Sequence, residues 1–306
     1  MASKRNKRGV EEILSYIIVT PVKDEEKHLP KVAEALIRQT MPPVLWVIVD
    51  DGSTDSTPEI VKNLENRFDW IKSMRLPQHP RDITFHYSYV CKNGFDFIIN
   101  LSRDKAIQYN FIGLLDADTV LEIAYFEKMC TEFKKNSRLG VASGHIIDMP
   151  DKEISWEKIN NNKKDRPFPR GSGRLWRREC FLETGGYSNE PSPDSISNVK
   201  AHLRGWEIRQ FGHIRAVQLR ETSGAQGLWN GYRIRGLMAH YLNKHPLLVL
   251  MGSIYHSFEK PYYIGLAYFY GYLQAWLKKL EIIQDPEIRE YFWKMRIKEY
   301  FKDKNN

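Results

Sequence analysis

Residues 44–56 read VLWVIVDDGSTDS, and this stretch decides the class of fold. Val44 to Val49 form an apolar, largely β-branched run without charge, the pattern of a strand covered on both faces. The run ends in Asp50 and Asp51 and then in a turn whose glycine and short polar side chains suit tight backbone geometry, with Ser53, Thr54 or Asp55 placed to cap a helix expected from Pro58 to Phe68. The preceding segment repeats the order. Residues 16–22, YIIVTPV, are a buried strand delivering the loop Lys23–Glu26, after which Leu29, Val32, Ala33, Leu36 and Ile37 recur at helical spacing until Thr40-Met-Pro-Pro. Two strand–loop–helix units of these lengths imply right-handed parallel crossovers, hence an α/β sheet with a ligand crevice at the carboxyl ends of its strands.

Further along, residues 77–105 are rich in His, Tyr, Arg and Lys with weak periodicity, and a helix is expected from about Gly94 to Tyr109. Tyr109 to Leu115 read as a strand ending in Asp116-Ala117-Asp118-Thr119, followed by an apolar helix; Val141 to Ile147 read as another strand. Lys152 to Pro169 is a polar surface excursion. The segment Arg170–Arg178 carries Gly171 and Gly173 and leads through a short helix to Gly185-Gly186-Tyr187, after which a helix over 194–204 and a strand over 206–211 are expected.

The 306 residues, 42% hydrophobic and 27% charged, are globular in composition and predict one main domain. Cys91, Cys130 and Cys180 are odd in number and far apart, which encourages neither a disulfide framework nor a zinc site and fits a reducing cytoplasm. The first residues, MASKRNKRGVEEILSY, lack the apolar run and cleavage site of a secretory signal, so 1–14 is read as a flexible basic tail. A net charge of +8 draws nucleic acid, anionic membranes and phosphate-bearing ligands alike. Nucleic acid is the poorest of these fits, because acids rather than bases occupy the strand-end loops.

Asp116 and Asp118 flank one small residue at a strand end, so both carboxylates can face one crevice and offer oxygen ligands to a hard divalent cation. The bland alternative is two solvated turn aspartates. Asp50 and Asp51 place adjacent like charges at a strand end, a costly arrangement unless donors, solvent or a cation compensate.

Taken in order, TPVKDEE, VIVDDGSTD, LLDADT, GSGRLWRR with ECFLETGGY, and PDSISNVKAHLRGW resemble family 2 glycosyltransferases, inverting enzymes of the GT-A fold, over roughly residues 15–215. The resemblance implies a Rossmann-like mixed, mostly parallel sheet flanked by helices, with a GT-A domain over 15–240 and a helical region over 241–306. It implies that Pro21, Val22 and Glu25 line a nucleotide pocket, that Asp51 or Asp50 accepts hydrogen bonds from the base, that Asp116 touches the ribose or a metal, and that Asp118 binds Mn2+ or Mg2+ against the diphosphate of a nucleotide-sugar donor. Asp194 falls where the family places its catalytic base, although Pro193 stands where a Glu is usual; Asp194 as a plain N-cap is the competing reading and Glu190 the reserve candidate. The family's Gln-x-x-Arg-Trp element is missing around Trp229, Arg233 and Arg235, which argues against a processive synthase. KNGFDFIINLSRDKAIQYN replaces the usual segment ahead of the Asp-x-Asp pair and leaves Lys92 and Arg103 as pocket candidates, while His213 and His240 are the only offers for a third metal ligand. Arg170, Arg174, Arg177 and Arg178 could grip donor phosphates or an anionic acceptor.

Residues 261–277, PYYIGLAYFYGYLQAWL, carry no charge but sit at the lower limit of length for a bilayer span. Their tyrosines and tryptophan, flanked by Lys244, Lys260, Lys278 and Lys279, predict helices lying on a membrane or packed on the catalytic domain, and with the former a glycan or lipid-linked acceptor and a peripheral position at the inner face of the cell membrane. The rival functions are a sugar-phosphate nucleotidyltransferase, which would normally show a glycine-rich basic first loop in place of TPVKDEE, and a catalytically inactive membrane-associated scaffold.

Overall fold

A computed structural model describes residues 14–80, 85–149, 153–159, 163–220, 227–258 and 260–303, so the basic tail before Leu14 and part of the 152–169 excursion lie outside the described residues. In chain order the elements are β1 (Tyr16–Val22), α1 (Leu29–Ile37), β2 (Leu45–Asp50), α2 (Thr57–Arg67), β3 (Ile71–Arg75), α3 (Phe85–Asp104), β4 (Phe111–Leu114), β5 (Thr119–Leu121), α4 (Tyr125–Lys135), β6 (Leu139–Asp148), β7 (Arg174–Arg177), α5 (Arg178–Glu183), α6 (Pro193–Leu203) and β8 (Glu207–Gln218). Then follow α7 (Leu228–Tyr241), α8 (Pro246–Ser257), α9 (Ile264–Leu277), α10 (Pro286–Glu290), a π-helical turn (Tyr291–Met295) and α11 (Arg296–Asp303).

The strands make one sheet in the order β3-β2-β1-β4-β7-β6-β8-β5. β3, β2, β1 and β4 run parallel, and β7 and β5 enter antiparallel. The expected α/β sheet is therefore present, and its mixed half comes from β5 and β7, strands of three and four residues too short to show a periodicity. Every residue of β2 is buried, because helices cover both faces of the sheet. Tyr16, Ile18, Trp46 and Ile48 face one core with Leu29 and Leu36 of α1 and Phe126 of α4; Ile17, Val19, Val47 and Val49 face another with Phe95 and Ile98 of α3 and Trp176. Alternation along each strand thus feeds two apolar layers.

The helix expected from Gly94 to Tyr109 begins nine residues earlier, at Phe85, and ends at Asp104, with Ala106 in a left-handed conformation beyond it. Its polar first turns obscured the start because they face the crevice, not the core. β8 is twice the length expected. In the C-terminal helices, Gly236 of α7 meets the backbone of Tyr268 and Gly271 of α9, so the two axes approach closely. No helix among the described residues is long and apolar enough to cross a membrane.

Candidate functional site

Strand order reverses at β1, between β2 and β4, and there the carboxyl ends of three parallel strands bring Val22, Asp50 and, just past β4, Asp116 to one crevice. The loops after β1 and β2 brace each other. Asp24 receives the Thr54 amide at 2.8 Å, Asp55 receives those of Thr57 at 2.9 Å and Glu26 at 3.1 Å, and Glu25 donates its amide to Thr57 Oγ1 at 2.8 Å. Asp55 is thus a brace between loops as well as a helix-start residue.

The Asp50–Asp51 repulsion is answered by two cations and a histidine. Arg75 Nη1 stands 3.0 Å from Asp50, whose other oxygen receives the Ser53 amide at 2.9 Å. Asp51 pairs with Lys23 Nζ at 3.3 Å and His86 Nε2 at 2.7 Å. His86 in turn stacks on His79, ring centroids 3.7 Å apart. Pro21 is half-buried, and Val22 and Glu25 are buried at the same crevice.

Asp116 accepts a 2.7 Å hydrogen bond from Tyr87 Oη, and its amide donates to Ser172 Oγ at 2.9 Å. Burial, then the neighbouring Asp118 carboxylate, push its pKa up to about 7. Asp118 is also raised, by burial first, while Arg220 opposes the shift and Glu25 adds to it. Arg220, just beyond β8, bridges the two acids: Nε lies 3.2 Å from Asp118 Oδ2, and Nη2 donates to Glu25 Oε1.

Asp194 occupies the first turn of α6, behind Pro193, and not a cap preceding a helix at 195; Ser192, with φ of 60°, stands ahead of the helix. Pro at the first position removes a donor that has no partner there, and an acid in the first turn is favoured by the helix dipole. Its side chain is 37% exposed and meets Arg174 Nη1 at 3.3 Å, an arginine with no exposure at all. Arg174 spends its remaining donors on Asn198 Oδ1 and the carbonyls of Pro169 and Arg170. Gly171 is packed so tightly that a Cβ there would lie 2.2 Å from Asp194 Oδ2. Asp116, Gly171, Ser172 and Asp194 border one cavity of about 620 Å³.

Several expected positions are corrected. Arg174 and Arg177 are structural, Arg177 donating to the carbonyls of Phe133, Asn136 and Leu139, and Arg178 lies over the Tyr109 ring, so that of these four arginines Arg170 is the one in the cavity wall. Lys92 pairs with Asp96 along α3, and Arg103 sits in its last turn beside Asn100, about five turns from the crevice end. The residues of this helix that meet the acids are His86 and Tyr87, hidden in the aromatic, histidine-rich stretch whose periodicity was weak. His213 stands beside Glu132, and His240 packs on Tyr272, so neither meets Asp118; Arg220 does. Glu190 accepts from Tyr241 Oη on α7. Arg233 joins Asn230 and Gln274, bridging α7 to α9.

Among the described residues no three acids, histidines or cysteines gather as a complete metal cage. Two carboxylates whose charged forms oppose each other nevertheless suit a Mg2+-like ion that takes one or two protein carboxylates, substrate phosphates and water.

The model of Glycosyl transferase family 2 matches residues 17–188, more than half of the chain. Beta-monoglucosyldiacylglycerol synthases of Nostoc sp. strain PCC 7120 and Trichormus variabilis are 25% and 24% identical over 231 residues, 70% of this chain; the chain spans about half, 46%, of the length of these curated relatives. Solved structures similar in fold include S. aureus TarS 1-349 in complex with UDP-GlcNAc (TM-score 0.51, 15% identity, 74% of this chain and 66% of that one). The mannosyltransferase PcManGT from Pyrobaculum calidifontis in complex with GDP-Man and Mn2+ has a TM-score of 0.52, with 14% identity over 84% of this chain and 70% of that one. GalNAc-T7 with UDP, GalNAc and Mn2+ has a TM-score of 0.55, with 15% identity over 96% of this chain and 57% of that one. With strands, crevice and paired acids in this arrangement and the family model spanning most of the sheet, the chain belongs to glycosyl transferase family 2, on a GT-A fold.

Proposed function

We propose that this chain is an inverting, divalent-cation-dependent glycosyltransferase that moves a sugar from a UDP- or GDP-sugar to an acceptor at a lipid surface, in the synthesis of a cell-surface glycan or glycolipid. The observation that carries it is the meeting of Asp116 with Asp194 across one cavity, while Asp50, Asp51, Glu25 and Asp118 gather at the adjoining strand ends.

In this reading Pro21, Val22 and Glu25 border the nucleotide, Asp51 or Asp50 receives the base, and Asp116 with Asp118 hold Mg2+ or Mn2+. A cation held there would supply Lewis-acid stabilisation of the departing diphosphate. Asp194 takes the acceptor's hydroxyl proton as the acceptor oxygen bonds to the anomeric carbon and the bond to the diphosphate breaks on the opposite side. Arg174, fully buried and bonded on three sides, fixes the Asp194 carboxylate for that attack. Arg220, paired with Asp118, would share that carboxylate with a bound cation. The nucleotides in the solved relatives, UDP-GlcNAc, UDP and GDP-Man, agree with the donor class, and the Mn2+ in two of them agrees with the metal.

Support for a lipid surface comes from α8 and α9. Leu247, Leu250, Ile254 and, at the cap, Phe258 recur along one stripe of α8, and Leu266, Tyr270, Leu273 and Leu277 along one of α9, all of them exposed. A helix of a water-surrounded protein turns such a stripe inward. Lys260, Lys278 and Lys279 flank the stripes, and the curated relatives are named for a diacylglycerol product.

A thermal-shift panel of UDP, GDP and their sugars, with and without Mn2+, tests the donor site, since a ligand bound only by the native state raises its stability. A metal-dependent shift that disappears in Asp118→Ala is expected; a shift of equal size in that variant would remove Asp118 from the site.

A further inference from the structure

The cavity that begins at Asp116 and Asp194 ends on cations. Arg170 comes from the loop before β7, Arg235 from the middle of α7, Lys244 from the turn between α7 and α8, and Arg296 from the first residue of α11. The left-handed backbone of Asn243, φ 58°, forms that turn and sets Lys244 against the cavity, its ammonium 5.5 Å over the Phe292 ring. Arg235 lies 4.6 Å over the ring of Tyr232, and Arg296 lies 4.6 Å over Phe168.

Only one of the four has a carboxylate at ion-pair distance among the described residues: Arg296, with Glu299 at 3.1 Å. Burial first, with Arg235 and Arg166, lowers the pKa of Arg170, while Asp148 opposes the shift. Burial, then Arg296 and Arg235, pull the Lys244 ammonium down to about 8. Four like charges from four parts of the chain line one wall, and the repulsion among the three without a carboxylate at ion-pair distance falls when an anion joins them. A second groove of about 400 Å³ shares Ser195, Arg235 and Lys244 with the cavity and runs along α7 past Met238 to His256 of α8 and Tyr268 of α9.

We propose that this wall is the seat of an anionic group on the acceptor, a phosphate monoester or diester, so that the molecule receiving the sugar is phosphate-bearing and not a neutral lipid alcohol. The assignment rests on the reading of Asp194 as the base that faces the acceptor. A guanidinium pairs with two phosphate oxygens at once, and two arginines with a lysine give a phosphate its charge-assisted partners. Held there, the phosphate leaves the hydroxyl end of the acceptor directed at Asp194 on the opposite wall. An uncharged diacylglycerol would enter the same cavity with no anion for Arg170, Arg235 or Lys244.

The test uses the full chain and defined probes. Binding of glycerol 3-phosphate, glycerol, phosphatidylglycerol vesicles and diacylglycerol-doped galactolipid vesicles, which carry no phosphate, is measured for the wild type, Arg235→Gln and Lys244→Met, with the UDP and GDP thermal shifts recorded in parallel to read the donor site. The wild type is expected to bind glycerol 3-phosphate or phosphatidylglycerol and not glycerol, and each variant to bind that probe roughly tenfold more weakly, the loss of one charged hydrogen-bonding partner. Binding of the soluble probe alone assigns a phosphorylated polyol or sugar; binding of the vesicles alone assigns a phospholipid. Equal binding by wild type and both variants, no binding of either phosphate probe at millimolar concentration, or equal binding of the diacylglycerol vesicles overturns the proposal. Should Lys244→Met fail to fold, Arg235→Gln decides. Absence of any nucleotide shift in folded wild type would fall on the transferase reading, while the phosphate result would still stand or fall on the variants.

Discussion

Asp194 and Gly171 act as one unit, because the carboxylate occupies space that any side chain at 171 would claim. Asp194→Asn keeps shape and loses the proton acceptor, so turnover should fall by 10²-fold or more with the nucleotide thermal shift unchanged. Gly171→Ala should displace the same carboxylate and lower turnover by about 10-fold to 10²-fold, again with donor binding kept. A fully active Asp194→Asn would remove the base assignment. Asp116 gives a prediction in pH. Its pKa is about 7 in the folded chain, raised by burial and by Asp118, against 3.8 for an ordinary aspartate. Between those values the native state retains a proton the unfolded chain has lost, so this group favours folding at low pH and withdraws that contribution as pH rises through about 7. In chelator, Asp116→Asn should therefore flatten the fall in Tm between pH 5 and 8 and exceed the wild type at the upper end, a tenfold difference in proton affinity between the folded and unfolded chains being worth about 1.4 kcal/mol. An unchanged slope would show that Asp116 ionises as an exposed aspartate does.

At the scale of elements, the apolar stripes of α8 and α9 predict that Ile254→Ser together with Leu266→Ser lowers co-flotation with anionic vesicles severalfold. Tm should shift little or upward, since both side chains are more than half exposed. Equal flotation would place the contact elsewhere. The legibility of the chain divides along the same lines. β1, β2, α1 and α2 stood out because buried strands and one-faced helices have periods that short polar loops interrupt cleanly, and the acids at their ends follow from the topology. The start of α3 did not, because His86 and Tyr87 face the crevice and break the apolar pattern that announces a helix. β5 and β7 are too short to carry a period. Arg220 lies 195 residues from Glu25 and 102 from Asp118, and no local pattern joins them. The packing of Arg174 against Asp194 was hidden for the same reason: four nearby arginines look alike until burial sorts them.

For the molecule as a whole, the charge of +8 adds to whatever surface the apolar stripes touch. Vesicle association should weaken as salt is raised, since screening removes the long-range attraction, and should level off at the part owed to apolar insertion; insensitivity to salt would make the contact wholly apolar. The acids of the crevice come from residues 25 to 118 and the proposed base is residue 194, whereas three of the four cations come from residues 235, 244 and 296. On the proposed reading one part of the chain holds the elements that would meet the donor, and a later part supplies most of what would meet the acceptor's charge. Such a layout is modular: a chimera keeping the sheet and exchanging the helices after β8 for those of a relative should change what is glycosylated while the nucleotide it uses stays the same.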